Sequence, residues 1–343
     1  MKFVLLVVAM AAFIFGNAVA QNELMGAGAT FPQHLYSKMF DEYNKLTGVK
    51  VNYQGVGSGA GIKQIIAKTV DFGGTDAVLS EKEKKEAGSE LLHIPTCLGA
   101  VAVTYNLEGN PQLKFAPDVI ADIFLGKITK WSDPRIKALN PGVKIPDIAI
   151  TVVHRSDGSG TTHIFSEYLS KVSPEWNKNV GTNKALNWPV GLGGKGNPGV
   201  AGLVKDTNGS IGYVEVIYAM SNNLPVAEIK NKSGVFVKPS LESMSLSAAV
   251  TIPDDTCVSL TDTDAKNGYP ISSFTWIILY KEQNYGGRSY ARAESTMKLL
   301  WWVINDGQKF NEGLKFGKLS PIAVEKAKKL LKSVTYDGKP ILK

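Results

Sequence analysis

The sequence predicts a mixed α/β protein of two domains, and three observations support this prediction. Short segments rich in β-branched and aromatic residues alternate with amphipathic helical segments along the chain, as in α/β folds. The chain has 343 residues, and even without a leader of about twenty it exceeds what one hydrophobic core normally supports. No Pro/Ser-rich linker separates its halves, which favours domains joined by strands that cross between them.

Residues 1–20, MKFVLLVVAMAAFIFGNAVA, have the layout of a secretory signal peptide. Lys2 provides the basic start, a short apolar run follows, and the small-residue end predicts cleavage between Ala20 and Gln21. The apolar run is too short for a comfortable transmembrane span, so an uncleaved anchor is the less favoured alternative. Because Gln21 is not a cysteine, lipid attachment there is not expected, and the exported protein is predicted to be soluble.

The helices and strands of the first part are predicted from residue spacing. Phe31, Leu35, Met39 and Tyr43 recur at four-residue steps and predict a helix that ends at Gly48. The elements that follow are a strand at 49–57, a helix at 59–70, a strand at 70–80, and a helix opened by a capping box of Ser80 and Glu83. This part of the chain therefore alternates strand and helix.

The remaining elements continue the same alternation to the end of the chain. They are a strand at 98–106, a helical segment at 115–131, a strand in 145–155, a glycine-rich loop at 191–200 with a short helix after it, strands at 210–220 and 269–281, and helices at 289–305 and 320–334. The strands at 98–106 and 269–281 are the most continuously apolar, which predicts that both are buried.

Charge and cysteine content exclude several classes of protein. The formal net charge is +7, or +6 without Lys2, an excess that attracts anions but identifies no partner. The lysine-rich segments 81–86 and 325–332 fall on helical patterns and are interpreted as solvated faces, so no nucleic-acid partner is predicted. Cys97 and Cys257 lack a CxxC context, which argues against a redox pair or a zinc site. One disulfide and two buried thiols both remain open.

Three Gly/Ser/Thr-rich turns each open an amphipathic helix, at 26–36, 55–65 and 157–165. A helix start offers unpaired N–H groups, glycine allows close approach of the backbone, and hydroxyls add donors. One such turn is equally an ordinary N-cap. Three of them, one preceded by Arg155, predict a shared oxyanion site.

Other chemical motifs are incomplete. The glycines at 55–61 and 191–199 fit neither the dinucleotide fingerprint nor the P-loop. Ser58 and Ser159 have no nucleophile elbow, and the four histidines show no metal-ligand spacing. The sequence therefore predicts no cofactor, no metal and no enzymatic activity. A secreted phosphohydrolase with Ser58 or Ser159 as nucleophile is the less favoured alternative.

Six motifs occur in one order along the chain: GAGATFP, YQGVGSGAGIKQI, VDFGGTDAVLS, IFLGKITKWSDPRI, HRSDGSGTTHIF and IGYVE. Together they resemble the PstS family, the phosphate-binding proteins of bacterial phosphate-specific ABC importers. The resemblance implies a non-enzymatic, monomeric periplasmic receptor that captures inorganic phosphate and delivers it to an inner-membrane ABC permease. Segment 123–131 is a candidate docking segment, or a packed helix and turn anchored by Trp131.

The resemblance also implies the fold and the domain limits. It implies a two-lobed periplasmic binding protein, type II-like, in which each lobe is a mixed sheet flanked by helices and crossing strands join the lobes. Lobe I would comprise 21–101 plus 272–343, and lobe II 102–271. Cys97 would lie beside the first crossing and Cys257 shortly before the second, so a disulfide between them stays open.

The family's ligand residues match positions in this chain. The implied phosphate-binding set is Thr30, the Phe31 backbone, Ser58, Asp76, Arg155, Ser159, Gly160 and Thr161. Asp157 is interpreted as a supporting partner of Arg155. An ionised Asp76 only accepts hydrogen bonds, so it pairs with an anion that keeps a proton and repels one that does not. Asp76 therefore argues against the alternative of a sulfate or molybdate receptor.

Overall fold

The computed structural model describes residues 23–343. The predicted signal peptide and its cleavage site lie outside these residues. Among the helices described, none is both long and apolar enough to cross a membrane.

The fold alternates strands and helices through the described chain. The strands are β1 Glu23–Gly28, β2 Lys50–Gly55, β3 Phe72–Thr75, β4 Leu91–Tyr105, β5 Lys114–Phe115, β6 Thr151–Arg155, β7 Leu192–Gly194, β8 Ser210–Glu215, β9 Glu228–Lys230, β10 Phe236–Val237, β11 Leu260–Thr261, β12 Ile271–Tyr280, β13 Thr335–Tyr336 and β14 Lys339–Pro340. The helices are α1 Gln33–Thr47, α2 Ser58–Ile66, α3 Glu81–Ala87, α4 Pro117–Phe124, α5 Pro134–Leu139, α6 Gly160–Val172, α7 Pro174–Asn179, α8 Gly196–Asp206, α9 Val216–Ser221, α10 Leu241–Ser247, α11 Tyr290–Ile304 and α12 Pro321–Lys332.

One mixed sheet organises the molecule, in the order β2-β1-β3-β12-β4-β8-β6-β7, with β11 paired to β12. The group β1, β2 and β3 is parallel, as is the group β6, β7 and β8. Between these groups, β12 and β4 run antiparallel to their neighbours. The predicted α/β class with mixed sheets is confirmed.

Strand β4 belongs to both parts of this sheet. Its first ten residues, 91–100, pair with β12, and its last five, 101–105, pair with β8. We call the part that contains β1, β2, β3 and β12 the first lobe, and the part that contains β6, β7 and β8 the second lobe. The predicted chain limits of the lobes stay a prediction.

Most predicted elements are present, and several of their limits differ: the strand predicted at 70–80 is only Phe72–Thr75, and the helix predicted at 115–131 ends at Phe124. The helix that starts after Phe31 ends at Gly48, whose φ of 74° is the left-handed conformation that favours glycine. The capping box of Ser80 and Glu83 is confirmed. Strand β4 begins at Leu91, well before the predicted residue 98. It tolerates Pro95 because the register with β12 shifts there.

The predicted strand 210–220 is wrong in its second half. β8 ends at Glu215, and residues 216–221 form α9. The Glu215 side chain accepts a hydrogen bond from the N–H of Ile217 at 2.9 Å and so caps the helix. Periodicity could not reveal this change, because a continuous apolar run fits a buried strand and a buried helix equally well.

The structure shows how Trp131 is packed and whether the two cysteines are bonded, two points for which the sequence leaves alternatives open. Trp131 is fully buried and donates from Nε1 to the carbonyl of Gly209 at 2.8 Å, so it anchors the turn after α4. Docking by segment 123–131 stays a prediction. Cys97 is a buried free thiol on β4, and Cys257 is a partly buried free thiol, so the structure supports two thiols rather than a bridge.

Candidate functional site

The candidate site lies where parallel strands of both lobes end. Thr30, Ser58 and Asp76 follow β1, β2 and β3, whose carboxyl ends share one edge of the sheet. In the second lobe, Arg155 ends β6, and α6 begins shortly after it. The N–H of Gly59 donates to the carbonyl of Gly158 at 2.9 Å, so the two edges are in direct contact.

Gly160 allows this close approach. A Cβ atom added there would lie 2.5 Å from Asp76 Oδ2 and 2.6 Å from Ser58 Oγ, which is closer than real contacts allow. Its own N–H donates to Ser58 Oγ at 3.1 Å. The start of α6 therefore fits against the first lobe only with glycine at this position.

Ser58 is the first residue of α2 and is fully buried. Its hydroxyl oxygen accepts from the N–H of Gly160 in the second lobe at 3.1 Å and, at a longer 3.4 Å, from the N–H of Asp76. The same hydroxyl donates to Asp76 Oδ2 at 3.4 Å. This long contact leaves Oδ2 the weakly bound oxygen of the carboxyl group.

Asp76 is buried without a cation in hydrogen-bonding contact among the described residues. Thr275, on β12, donates to Asp76 Oδ1 at 2.8 Å. Burial raises the pKa of Asp76 to about 7. This increase in pKa is limited by the hydrogen bond from Thr275, the positive charge of Arg155 and the hydrogen bond from Ser58. Asp76 is thus a carboxyl group that exchanges its proton near neutral pH.

Arg155 and Asp157 form a closed ion pair in the second lobe. Arg155 donates from Nε to Asp157 Oδ1 and from Nη2 to Oδ2, both at 2.7 Å, and from Nη1 to Thr161 Oγ1 at 3.3 Å. Burial alone would raise the pKa of Asp157, but the hydrogen bonds and charge of Arg155 lower it overall. Three of the five guanidinium N–H groups are engaged, so two remain for a ligand.

The start of α6 supplies further donors. Ser159 is its N-cap and accepts from the N–H of Thr162 at 3.0 Å. Within residues 23–343, the N–H groups of Phe31 and Thr161 have no hydrogen-bond partner. Phe31 itself is buried, with its ring edge-on to Phe316, so its backbone rather than its side chain is the group available to a ligand.

All eight predicted ligand residues are brought to one cleft, with Asp157 beside them. Sequence reasoning missed Asn197, Glu215, Tyr218 and Thr275, which are buried at the same place. Asn197 donates to Thr30 Oγ1 at 2.9 Å, and Tyr218 donates to the carbonyl of Thr30 at 2.6 Å. The glycine-rich loop 191–200 was a usable signal for Asn197, because it opens α8 just as the three noted turns open their helices.

The chemistry of the cleft is that of an anion site in which the carboxyl group of Asp76 lies among the hydrogen-bond donors. Its lining supplies hydroxyls, backbone N–H groups and the free part of one guanidinium, and Asp76 is the acceptor that faces them. This fold and this site define a two-lobed solute-binding protein with a closed, oxyanion-type cleft.

Comparison with known proteins identifies the family. The profile of the PBP superfamily domain matches residues 16–306. The phosphate-binding protein PstS of Pasteurella multocida is 47% identical over 272 residues, 78% of this chain and 78% of that protein. PstS of Xylella fastidiosa is 41% identical over 308 residues, 88% of this chain and 83% of that protein. This chain belongs to the PstS family of phosphate-binding proteins.

A solved structure agrees with the fold. The phosphate-binding protein from Stenotrophomonas maltophilia matches with a TM-score of 0.69 at 19% identity, over 88% of this chain and 92% of that one. At this identity the likeness concerns the fold, and it supports the two-lobed arrangement described above.

Proposed function

We propose that this protein is the solute-binding component of an ABC importer and that it binds inorganic phosphate between its lobes. The observation that carries this proposal is Asp76, a protonatable carboxyl group with a pKa of about 7 among hydrogen-bond donors. Phosphate near neutral pH carries at least one proton, so one proton is available for the contact between Asp76 and the ligand. The ligand set proposed is the eight residues named from the sequence.

Selectivity follows from the same contact. Sulfate carries no proton, so it pairs with Asp76 only if Asp76 itself is protonated. Above about pH 7, where Asp76 is ionised, it would face a bare sulfate oxygen in a buried site, which costs about 2 kcal/mol relative to a hydrogen-bonded contact. Phosphate satisfies the contact whether the shared proton starts on Asp76 or on the ligand.

Transport requires that the lobes open and close around the ligand. The closed arrangement here, with hydrogen bonds between Ser58 and Gly160 and between Gly59 and Gly158, is the form proposed to dock on the permease. We propose lobe I as 21–101 plus 272–343 and lobe II as 102–271. The mature protein is proposed to be a periplasmic monomer after cleavage between Ala20 and Gln21.

The phosphohydrolase alternative gains no support from the site. Ser58 Oγ contacts backbone N–H groups and Asp76, and Ser159 Oγ caps α6. Neither hydroxyl contacts a histidine within the described part of the chain, so neither has the base that nucleophilic serine needs. The relatives above are named as binding proteins.

Calorimetry on the mature protein tests the proposal. The protein is unfolded and refolded to remove bound ligand and is then titrated with phosphate and with sulfate. Above about pH 7, where Asp76 is ionised, one-to-one phosphate binding without sulfate binding is the expected result. Binding of both anions would contradict the selectivity argument, and absence of phosphate binding would reject the receptor.

A further inference from the structure

Asn197 connects the two lobes inside the cleft. It lies in the first turn of α8, in the second lobe, and is fully buried. Its side-chain Nδ2 donates to Thr30 Oγ1 of the first lobe at 2.9 Å and to Thr161 Oγ1 of the second lobe at 3.1 Å. Its backbone N–H also donates to Thr30 Oγ1, at 3.1 Å.

The orientation of the Asn197 amide is fixed by its other end. Oδ1 accepts from the backbone N–H of Glu215 at 2.9 Å. A backbone N–H only donates, so exchanging the amide oxygen and nitrogen would place two donors against each other. The Nδ2 group therefore faces the two threonine hydroxyls, and it offers them donors only.

Both hydroxyl oxygens are fully used as acceptors. Thr30 Oγ1 accepts two N–H groups of Asn197, and Thr161 Oγ1 accepts one from Asn197 and one from Arg155 at 3.3 Å. A hydroxyl oxygen has two lone pairs, so neither can accept another hydrogen bond. Neither hydroxyl donates to a protein acceptor among residues 23–343, so both hydrogens remain available to a ligand.

We propose that Asn197 is a positioning residue that makes the hydroxyls of Thr30 and Thr161 donors only, directed at the bound anion. This inference rests on the proposed phosphate-binding function. Asn197 aligns the Thr161 hydroxyl within the second lobe, and closure brings the Thr30 hydroxyl of the first lobe onto the same amide. A proton carried by the ligand then has no acceptor at either threonine and is directed to Asp76.

A double-mutant cycle on phosphate affinity tests this role. In the wild type, Thr161→Val removes a hydroxyl aligned on an anion and should weaken binding about 30-fold. In Asn197→Ala, Thr161 Oγ1 keeps only the long contact from Arg155 and can accept from the ligand, so the same Thr161→Val change should cost only about threefold. Thr69→Val, which removes an exposed threonine hydroxyl outside the cleft, is the matched control and should keep wild-type affinity.

Asn197→Asp provides a second test with a side chain of the same shape. Its carboxylate accepts hydrogen bonds and turns the threonine hydrogens away from the ligand, so adding Thr161→Val should then change affinity less than about twofold. Equal cost of Thr161→Val in every background would overturn the proposal and leave Asn197 a merely structural residue. If the wild type bound no phosphate, the proposed function would fail with it.

Discussion

Two aspartates line the cleft, one on each lobe, and their surroundings shift their pKa values in opposite directions. Asp157 binds Arg155 through both carboxylate oxygens and accepts from the N–H of Gly196, and its pKa is lowered. The Asp76 carboxyl accepts only from the hydroxyls of Thr275 and Ser58, and burial raises its pKa to about 7. Burial opposes ionisation of both carboxyl groups, so the direction of each pKa shift is decided by the hydrogen-bond and charge partners of that group.

The difference assigns separate tasks to the two lobes. In the second lobe the charge of Arg155 is balanced by Asp157, so an anion bound there would meet a nearly neutral pair and a set of dipolar donors. In the first lobe, Asp76 is free to hold or release a proton. Under the proposed function, we therefore expect the second lobe to supply the charged contact with the anion and the first lobe to discriminate between protonated and unprotonated anions.

Removing the positive charge of Arg155 should have the largest effect on phosphate affinity. Arg155→Met removes charge-assisted hydrogen bonds to the ligand and leaves Asp157 buried without its partner, so phosphate affinity should fall about 1,000-fold in calorimetry. Arg155→Met with Asp157→Asn removes the unpaired carboxylate and should recover about tenfold of this loss. Equal phosphate affinities of the single and double variants would show that Asp157 does not balance the charge of Arg155.

Separating the two lobes should have the next largest effect. Gly160→Ala places a methyl group against Asp76 and Ser58, prevents full closure and should lower phosphate affinity about 100-fold. Gly202→Ala in α8 is the matched control, since a Cβ there meets nothing within 4 Å. The control should bind like the wild type, and a wild-type affinity for Gly160→Ala would show that the contact is not needed.

Replacing Asp76 should change the selectivity between phosphate and sulfate more than the affinity for phosphate. Asp76→Asn keeps the shape and replaces an acceptor with a group that also donates, so phosphate binding should weaken about tenfold while sulfate binding appears. Parallel titrations with the two anions measure the ratio of affinities. If the variant still did not bind sulfate, another group in the cleft would have to discriminate between phosphate and sulfate.

Asp76 should also shape the pH dependence of stability. Its folded-state pKa of about 7 lies above its unfolded value of 3.8, so the folded protein binds the proton more tightly than the unfolded chain. Stability that is present below about pH 4 is therefore lost as the pH rises to about 7, by at most about 4 kcal/mol.

The Asp76→Asn variant isolates this contribution. Thermal unfolding of the ligand-free protein across that pH range should show a smaller decline in the variant than in the wild type. Burial also raises the pKa of Glu215, and the charge of Asp76 raises it further, so Glu215 contributes a decline in both proteins and a smaller one in the variant. Identical declines would mean that Asp76 titrates near its ordinary pKa.

The ion pair across the cleft should have the smallest effect. Lys184 of the second lobe contacts Glu83 of the first at 2.8 Å, and both side chains are largely shielded from solvent. Lys184→Met should speed phosphate release about threefold in stopped-flow measurements, and less at high salt. The exposed pair of Lys84 and Glu81 lies within one helix, so Lys84→Met is the control and should leave release unchanged.

The turns of the candidate site that repeat one local pattern could be predicted from the sequence. Thr30, Ser58 and Thr161 each stand in a Gly/Ser/Thr turn before a helix, and this pattern is visible without a structure. Asn197 was missed although its loop was noticed, because its function depends on hydrogen bonds to two hydroxyls that are distant in sequence. Such long-range contacts leave no local periodicity.

Other features depended on tertiary context in the same way. The change from strand to helix after Glu215 is fixed by a single capping hydrogen bond within an apolar run. The pairing of Arg155 with Asp157 was anticipated from their spacing, but the opposite behaviour of Asp76 depends on burial that the sequence does not reveal.

The position of β12 has a consequence for how the chain matures. This strand, residues 271–280, lies between β3 and β4, so the sheet of the first lobe lacks a central member until most of the polypeptide has been synthesised. Contacts between such distant segments form slowly. The amino-terminal half consequently cannot complete its fold early, which suits a polypeptide that is predicted to pass through a membrane before it folds.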